Sequence, residues 1–166
     1  MPLTAAQLFD FESIFETAIA AALNDAGFPA VRTTATAKQF QEVRPRLELL
    51  FKVENEKTPV QLAPDSAGIL RATLYSGSVL LALITAANPT GKLTHAAYRA
   101  QLRAALGLNL LPSVNNVNGR LVNHRLNFIR QTATEYEFDP DAGYEKTAHN
   151  YAVDFSIYPP SLAQFP

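Results

Sequence analysis

The sequence has 166 residues, 48% of them hydrophobic, and a formal net charge of −1. That is enough apolar material for one cored domain spanning 1–166, and too little positive charge for a dedicated nucleic-acid binder. With no cysteine, disulfides, thiolate metal sites and cysteine nucleophiles are excluded. The most apolar run, Val79 to Ala87, falls well short of the ~20 residues that span a bilayer. The N-terminal residues show no basic, apolar and small-residue succession, so synthesis in the cytoplasm and no membrane partner are expected.

In chain order, the spacing of Leu8, Phe11, Phe15, Ala18, Ile19 and Ala22 predicts one helix from Thr4 to Ala26. Thr4 and Gln7 form a capping box, and Gly27 followed by Pro29 stops it. Asp10, Glu12 and Glu16 sit in its N-terminal half, where the helix dipole favours negative charge. Val31 to Ala37, rich in threonine, reads as a weakly alternating strand. Arg46 to Glu54 alternates more strongly, with Leu47, Leu49, Phe51 and Val53 on one side, and predicts a half-buried strand. Asn55 to Asp65 reads as a loop.

Gly68 to Tyr75 and Ser78 to Ala87 are β-rich runs, and Ser76-Gly77 between them predicts a hairpin turn. The second run is apolar on both faces, which places it centrally in a sheet, a buried helix being the alternative. Asn88-Pro89-Thr90-Gly91 reads as a turn. A helix follows from Thr94, its cap, to Leu106, with Gly107 as its left-handed stop. Tyr98, Leu102, Ala105 and Leu106 form its core face, and Arg99 and Arg103 a neighbouring row. Residues 107–119 read as irregular. From His124 to Phe138 polar and apolar positions alternate; Asp139 to Gly143 is turn chemistry, and Tyr144 to Tyr158 returns as a strand ended by Pro159-Pro160. Fifteen residues would reach roughly 50 Å, so either a bulge near Arg130 interrupts the first strand or part of the hairpin projects. The predicted fold is α+β: a mainly antiparallel sheet packed against two helices, with a long C-terminal β-hairpin.

The near-zero net charge hides a segregation. Arg71, Lys92, Arg99, Arg103, Arg120, Arg125 and Arg130 lie between Ser66 and Thr134 with no acid among them, whereas Glu135 to Asp154 holds six acids and one lysine. Solvated pairing within the chain is one reading. Another is that unlike-charged faces meet between copies, as a head-to-tail interface requires. A basic face toward nucleic acid is a third. The candidate subunit-interface residues are Arg99, Arg103, Arg125, Arg130, Glu135, Glu137, Asp139 and Asp141.

The chemical motifs fail on their own requirements. In Asn88 to Leu93 the leading glycine of a phosphate loop falls on Ala86, and Leu93 stands where a hydroxyl must reach magnesium. Asp139, Asp141 and Gly143 begin like a calcium loop, but its twelfth position is Asn150. His95, His124 and His149 lack the local spacing of a zinc site and read as packing or surface residues. Ser78 lacks the flanking pattern of a nucleophile elbow. The aromatic residues fall mostly at core-facing positions. No catalytic residue, cofactor site or metal site is expected.

Three passages set the architecture: a long helix leading to Arg44-Pro45-Arg46-Leu47-Glu48-Leu49-Leu50-Phe51; the His95-Ala96-Ala97-Tyr98 helix ending near Leu106, with Pro112 beyond; and Tyr136 to Ile157, where a charged turn enters a final alternating strand. This order resembles the tail terminator (tail-completion, head–tail joining) proteins of tailed bacteriophages. The resemblance covers most of the chain and carries architecture alone, with no functional residue transferred. It implies a non-enzymatic structural virion protein that forms a homo-oligomeric, typically hexameric ring, caps the tail tube and joins it to the neck. The implied partners are copies of itself, the tail tube protein and a neck or connector protein, with non-specific DNA contact in the ring lumen left open. The implied location is the virion, after assembly in the host cytoplasm. Another head–tail connector or minor tail protein is the nearest alternative. A small-ligand-binding or enzymatic domain, its site assembled from distant residues, is the alternative of a different class.

Overall fold

A computed structural model describes residues 4–28, 30–54, 73–87, 93–108, 114, 115, 121 and 124–157. Along the chain these form α1 (Ala5–Leu8), α2 (Phe11–Asp25), β1 (Val31–Arg32), β2 (Arg46–Val53), β3 (Thr73–Ala86), α3 (His95–Leu108), β4 (His124–Asp139) and β5 (Tyr144–Ile157). The strands make one sheet in the order β1-β2-β3-β5-β4. β1 runs parallel to β2, and every other neighbouring pair is antiparallel. The fold is therefore α+β, with a mixed, mostly antiparallel sheet, and the long C-terminal hairpin is present.

The N-terminal helix is broken where one continuous helix was expected. Thr4 and Gln7 do form the reciprocal capping box, through Thr4 N–H to Gln7 Oε1 at 2.9 Å and Gln7 N–H to Thr4 Oγ1 at 3.2 Å. The helix they start lasts one turn, because Asp10 then acts as a second N-cap, its Oδ1 accepting from Ser13 N–H at 3.3 Å. A side-chain acceptor placed there competes with the backbone ladder and restarts it. Gly27, at φ 98°, ends α2 as expected. Phe28 N–H reaches Leu23 O and Gly27 N–H reaches Asn24 O, both at 3.0 Å, the paired closure that a left-handed glycine permits.

Leu47, Leu49 and Phe51 of β2 alternate into the core as predicted and align with Leu83, Leu81 and Val79. Residues facing one another across the ladder share a face of the sheet. That face continues through Tyr151, Val153 and Phe155 of β5, and both long helices cover it. Phe11 of α2 lies 4.9 Å, ring to ring, from Tyr75 and 5.1 Å from Phe155, and Phe15 lies 4.9 Å from Phe155 and stacks on Phe51 at 5.0 Å. α3 joins the same face farther along, where His95 bonds Thr85 and Thr147. Such ring pairs add specific geometry to apolar burial.

Ser76-Gly77 is not a hairpin. β3 runs unbroken from Thr73 to Ala86, with Gly77 opposite Val53 on one side and Val153 on the other. A side chain at Gly77 would run into the carbonyl of Lys52; the glycine serves close approach of two backbones, the other use of that residue within strands. The central placement expected from its two apolar faces is correct. Likewise α3 is capped by Thr94, whose Oγ1 accepts from Ala97 N–H at 3.2 Å, yet it passes through Gly107 to Leu108. The strand predicted over Val31 to Ala37 stops at Arg32, because Thr33 and Thr36 bond to each other across a turn. The expected loop Asn55 to Asp65, the start of the Gly68 run, the Asn88 to Gly91 turn, most of residues 107–119 and Pro159-Pro160 lie outside the described residues.

Candidate subunit-contact surface

The hairpin stays with the sheet. All fourteen residues of β5 pair with β3, from Tyr144 opposite Ala86 to Ile157 opposite Thr73. Gly143 O, at the turn, accepts from Ala87 N–H at 3.1 Å and from Arg44 Nη1 at 2.6 Å, and the Arg44 guanidinium sits 5.7 Å from the centre of the Tyr144 ring. Register shifts between Leu126 and Phe128 and between Gln131 and Ala133 flank Arg130, where one bulge was expected. Each inserts an unpaired residue and turns the following side chains over to the other face.

β4 is the outermost strand, and residues 130–138 are exposed on both of its faces. Among the described residues nothing pairs with its outer edge. Tyr136 and Phe138 are 57% and 51% exposed, exceptions to the mostly core-facing aromatic residues. The Tyr136 ring meets α3 only at its first residue, edge-on to His95 at 6.2 Å, and its hydroxyl donates to Glu145 Oε1 at 2.8 Å.

The opposite edge is finished by side chains. β2 points Leu47, Phe51 and Val53 N–H groups outward. Leu47 N–H donates to Ala30 O at 2.9 Å. Phe51 N–H donates to Glu16 Oε1 at 3.0 Å, and Val53 N–H to Glu12 Oε1 at 3.4 Å. Glu16 is 3% exposed, and its carboxylate also accepts from Thr34 N–H at 2.9 Å and Thr34 Oγ1 at 2.8 Å. A buried carboxylate is tolerated when charge-assisted hydrogen bonds replace its water. Glu12 and Glu16, expected to serve the helix dipole, instead accept from the edge of β2. The signal for this role was Glu16 sitting between Phe15 and Ile19, on the border of the core face.

The eight candidate interface residues do not form one patch. Arg125, Arg130, Glu135, Glu137 and Asp139 stand opposite Ser156, Ala152, Ala148, Lys146 and Tyr144. These partners alternate along β5, so the five share one face of β4, basic toward His124 and acidic toward the turn. Asp141 lies in the turn, and Asp139 Oδ1 accepts from Ala142 N–H at 2.8 Å. Arg99 and Arg103 belong to α3, on the other face of the sheet. Glu137 accepts from Tyr144 Oη at 2.5 Å and lies 3.9 Å from Lys146 Nζ. Among the described residues no ion pair joins the basic stretch to the acidic one.

Arg103 lines a cavity of about 200 Å³ with Leu102, Ile129, Gln131, His149 and Tyr151. His149 is buried, with Nδ1 3.3 Å from both Gln131 Nε2 and Thr134 Oγ1. Burial, then the charges of Arg99 and Arg103, hold its pKa below the usual range. His95 is also buried, Nδ1 2.9 Å from Thr85 Oγ1 and Nε2 2.7 Å from Thr147 Oγ1. Burial lowers its pKa too, against a weaker opposing pull from Glu145. Tyr151 is pushed up to about 12 by burial. His124 packs against the rings of Phe11 and Phe15, both at 6.0 Å. All three histidines thus hold packing positions, and among the described residues no three acidic or imidazole groups converge as a metal site. Among the described residues, too, no helix is long and apolar enough to cross a membrane. Compared with known proteins, the sequence matches no family model and no curated protein.

Proposed function

We propose that this protein is a structural subunit of a bacteriophage tail, a terminator-type component that forms a ring, expected to be hexameric, on the tail tube and joins it to the neck. The observation that carries the reading is the outermost strand, exposed on both faces through residues 130–138 and leading into an acidic turn that Arg44 holds rigidly against the sheet. Such a surface suits contact with other subunits. It is supported by α3, where Arg99 and Arg103 make no ion pair among the described residues and Arg99 Nε is buried without a hydrogen-bond partner. Unlike-charged surfaces at different places on one chain fit a heterologous contact, which closes into a ring when the rotation permits.

Electron microscopy of the concentrated protein tests the ring, with closed annuli expected. Added to polymerising tail-tube protein, the protein should cap the tubes and shorten them. Tubes of unchanged length would remove the terminator role and leave the connector or minor-tail reading. Arg99→Glu with Arg103→Glu should weaken ring formation more than it lowers the melting temperature of the subunit. A ring population indifferent to both ionic strength and these reversals would rule out the electrostatic contact.

A further inference from the structure

The outer edge of β4 is self-complementary, and we infer that it pairs antiparallel with the same strand of a second copy about a two-fold axis between Thr132 and Ala133. Edge strands present unpaired N–H and C=O groups, and proteins blunt or occupy them. Here one edge is blunted by Glu12 and Glu16, which hinders continuing the sheet from that side, whereas among the described residues nothing pairs with the β4 edge.

The charge order selects the partner and the direction. On one face of β4, Arg130 precedes the register shift at Thr132, and Glu135 follows it. Positions five apart on a regular strand point to opposite faces, so the inserted residue is what brings this basic and this acidic side chain to the same side. Antiparallel pairing about the shift sets Arg130 of each copy opposite Glu135 of the other. On the other face it sets Gln131 opposite Thr134, and Ile129 opposite the exposed Tyr136. Ile129 packs at the border of the core beside the Arg103 cavity, so the tyrosine ring of the second copy would cover apolar surface. Parallel pairing in register would instead stack like charges. Opposite-charge and aromatic–aliphatic cross-strand pairs favour the antiparallel arrangement.

This contact uses one surface twice, unlike the head-to-tail contact of a ring; both draw on the exposed strand 130–138, and reversals at Arg130 and Glu135 test this one apart from the reversals at Arg99 and Arg103. Light scattering on the full chain across dilution measures it. A dimer is expected, and Arg130→Glu or Glu135→Arg should each weaken it about tenfold, since each reversal breaks both symmetric pairs. The double exchange should restore affinity to within about threefold. Because the chain has no cysteine, mixing Gln131→Cys with Thr134→Cys subunits under oxidation should give the mixed disulfide dimer, with little from either variant alone. A chain still monomeric at about 100 µM overturns the proposal by mass action. So does a dimer insensitive to the single reversals, or one the double exchange does not rescue. Binding of the edge to a different protein by a chain that stays monomeric would assign the strand to a hetero-partner and overturn it equally.

Discussion

At the β2 edge of the sheet, two glutamates from α2 reach across and accept the N–H groups of Phe51 and Val53, and a two-residue parallel strand covers the start of β2. At the β4 edge, a sixteen-residue strand keeps nine consecutive side chains, 130–138, in solvent on both faces. Both edges carry the same backbone chemistry, so the contrast lies in which side chains the neighbouring elements bring to it. A helix directly over β2 supplies carboxylates; α3, set over the other half of the same face, supplies arginines, which cannot accept from an N–H. The lesson is that one edge is finished by side chains of its own fold, while among the described residues the other is left open.

The largest expected effect comes from reopening the finished edge. Glu16→Ala strips the acceptor from Phe51 N–H, Thr34 N–H and the Thr34 hydroxyl in a buried setting, and should cost about 3 kcal/mol, roughly 6–12 °C in Tm. Glu16→Gln, which keeps one acceptor oxygen, should lose less. Calorimetry of the three proteins checks the order.

Acid should act next, beneath α3. His95 and His149 have folded-state pKa values below the ordinary 6.5, so as pH falls through about 6.5 the unfolded chain takes up protons that the folded chain refuses. Stability from this source is level above about pH 7 and declines toward pH 5. Urea midpoints across that range should show the decline, with a smaller slope in His149→Gln. Glu12→Ala, removing the longer 3.4 Å contact, should cost about 0.5–1 kcal/mol. The smallest effect is expected at the open edge. Ala133→Lys on the exposed strand should change stability by no more than about 0.5 kcal/mol while abolishing the two-fold pairing, since lysine on an edge is a known barrier to strand pairing. A large stability loss there would mean that the edge is already engaged within the subunit.

Much of the framework was legible in the residues. Leu47, Leu49 and Phe51 alternate because β2 has one buried face, and Asp139 to Gly143 turns because its residues favour nothing else. What was not legible depended on neighbours distant in sequence. Ser76-Gly77 carries turn chemistry, and only the carbonyl of Lys52 pressed against it explains a glycine in the middle of a central strand. Asp10 looked like one more acid in a helix until its bond to Ser13 N–H made it a cap. Of the candidate interface, Arg125 and Arg130 were expected on a basic face and Glu135, Glu137 and Asp139 on a separate acidic one, yet the register puts all five on one face of the hairpin strand. Arg99 and Arg103 could not be placed relative to them, because periodicity says nothing about which side of the sheet a helix takes.

The strand order holds a consequence for the timing of folding. β5 follows β4 in the chain yet lies between β3 and β4, so β4 has no place in the sheet until β5 has been synthesised and inserted. Pairs such as Thr73 with Ile157 span more than half of the chain, and contacts so distant form late and slowly. During synthesis on the ribosome, the outermost strand therefore stays unpaired until the strand that follows it has emerged and taken its place beside β3.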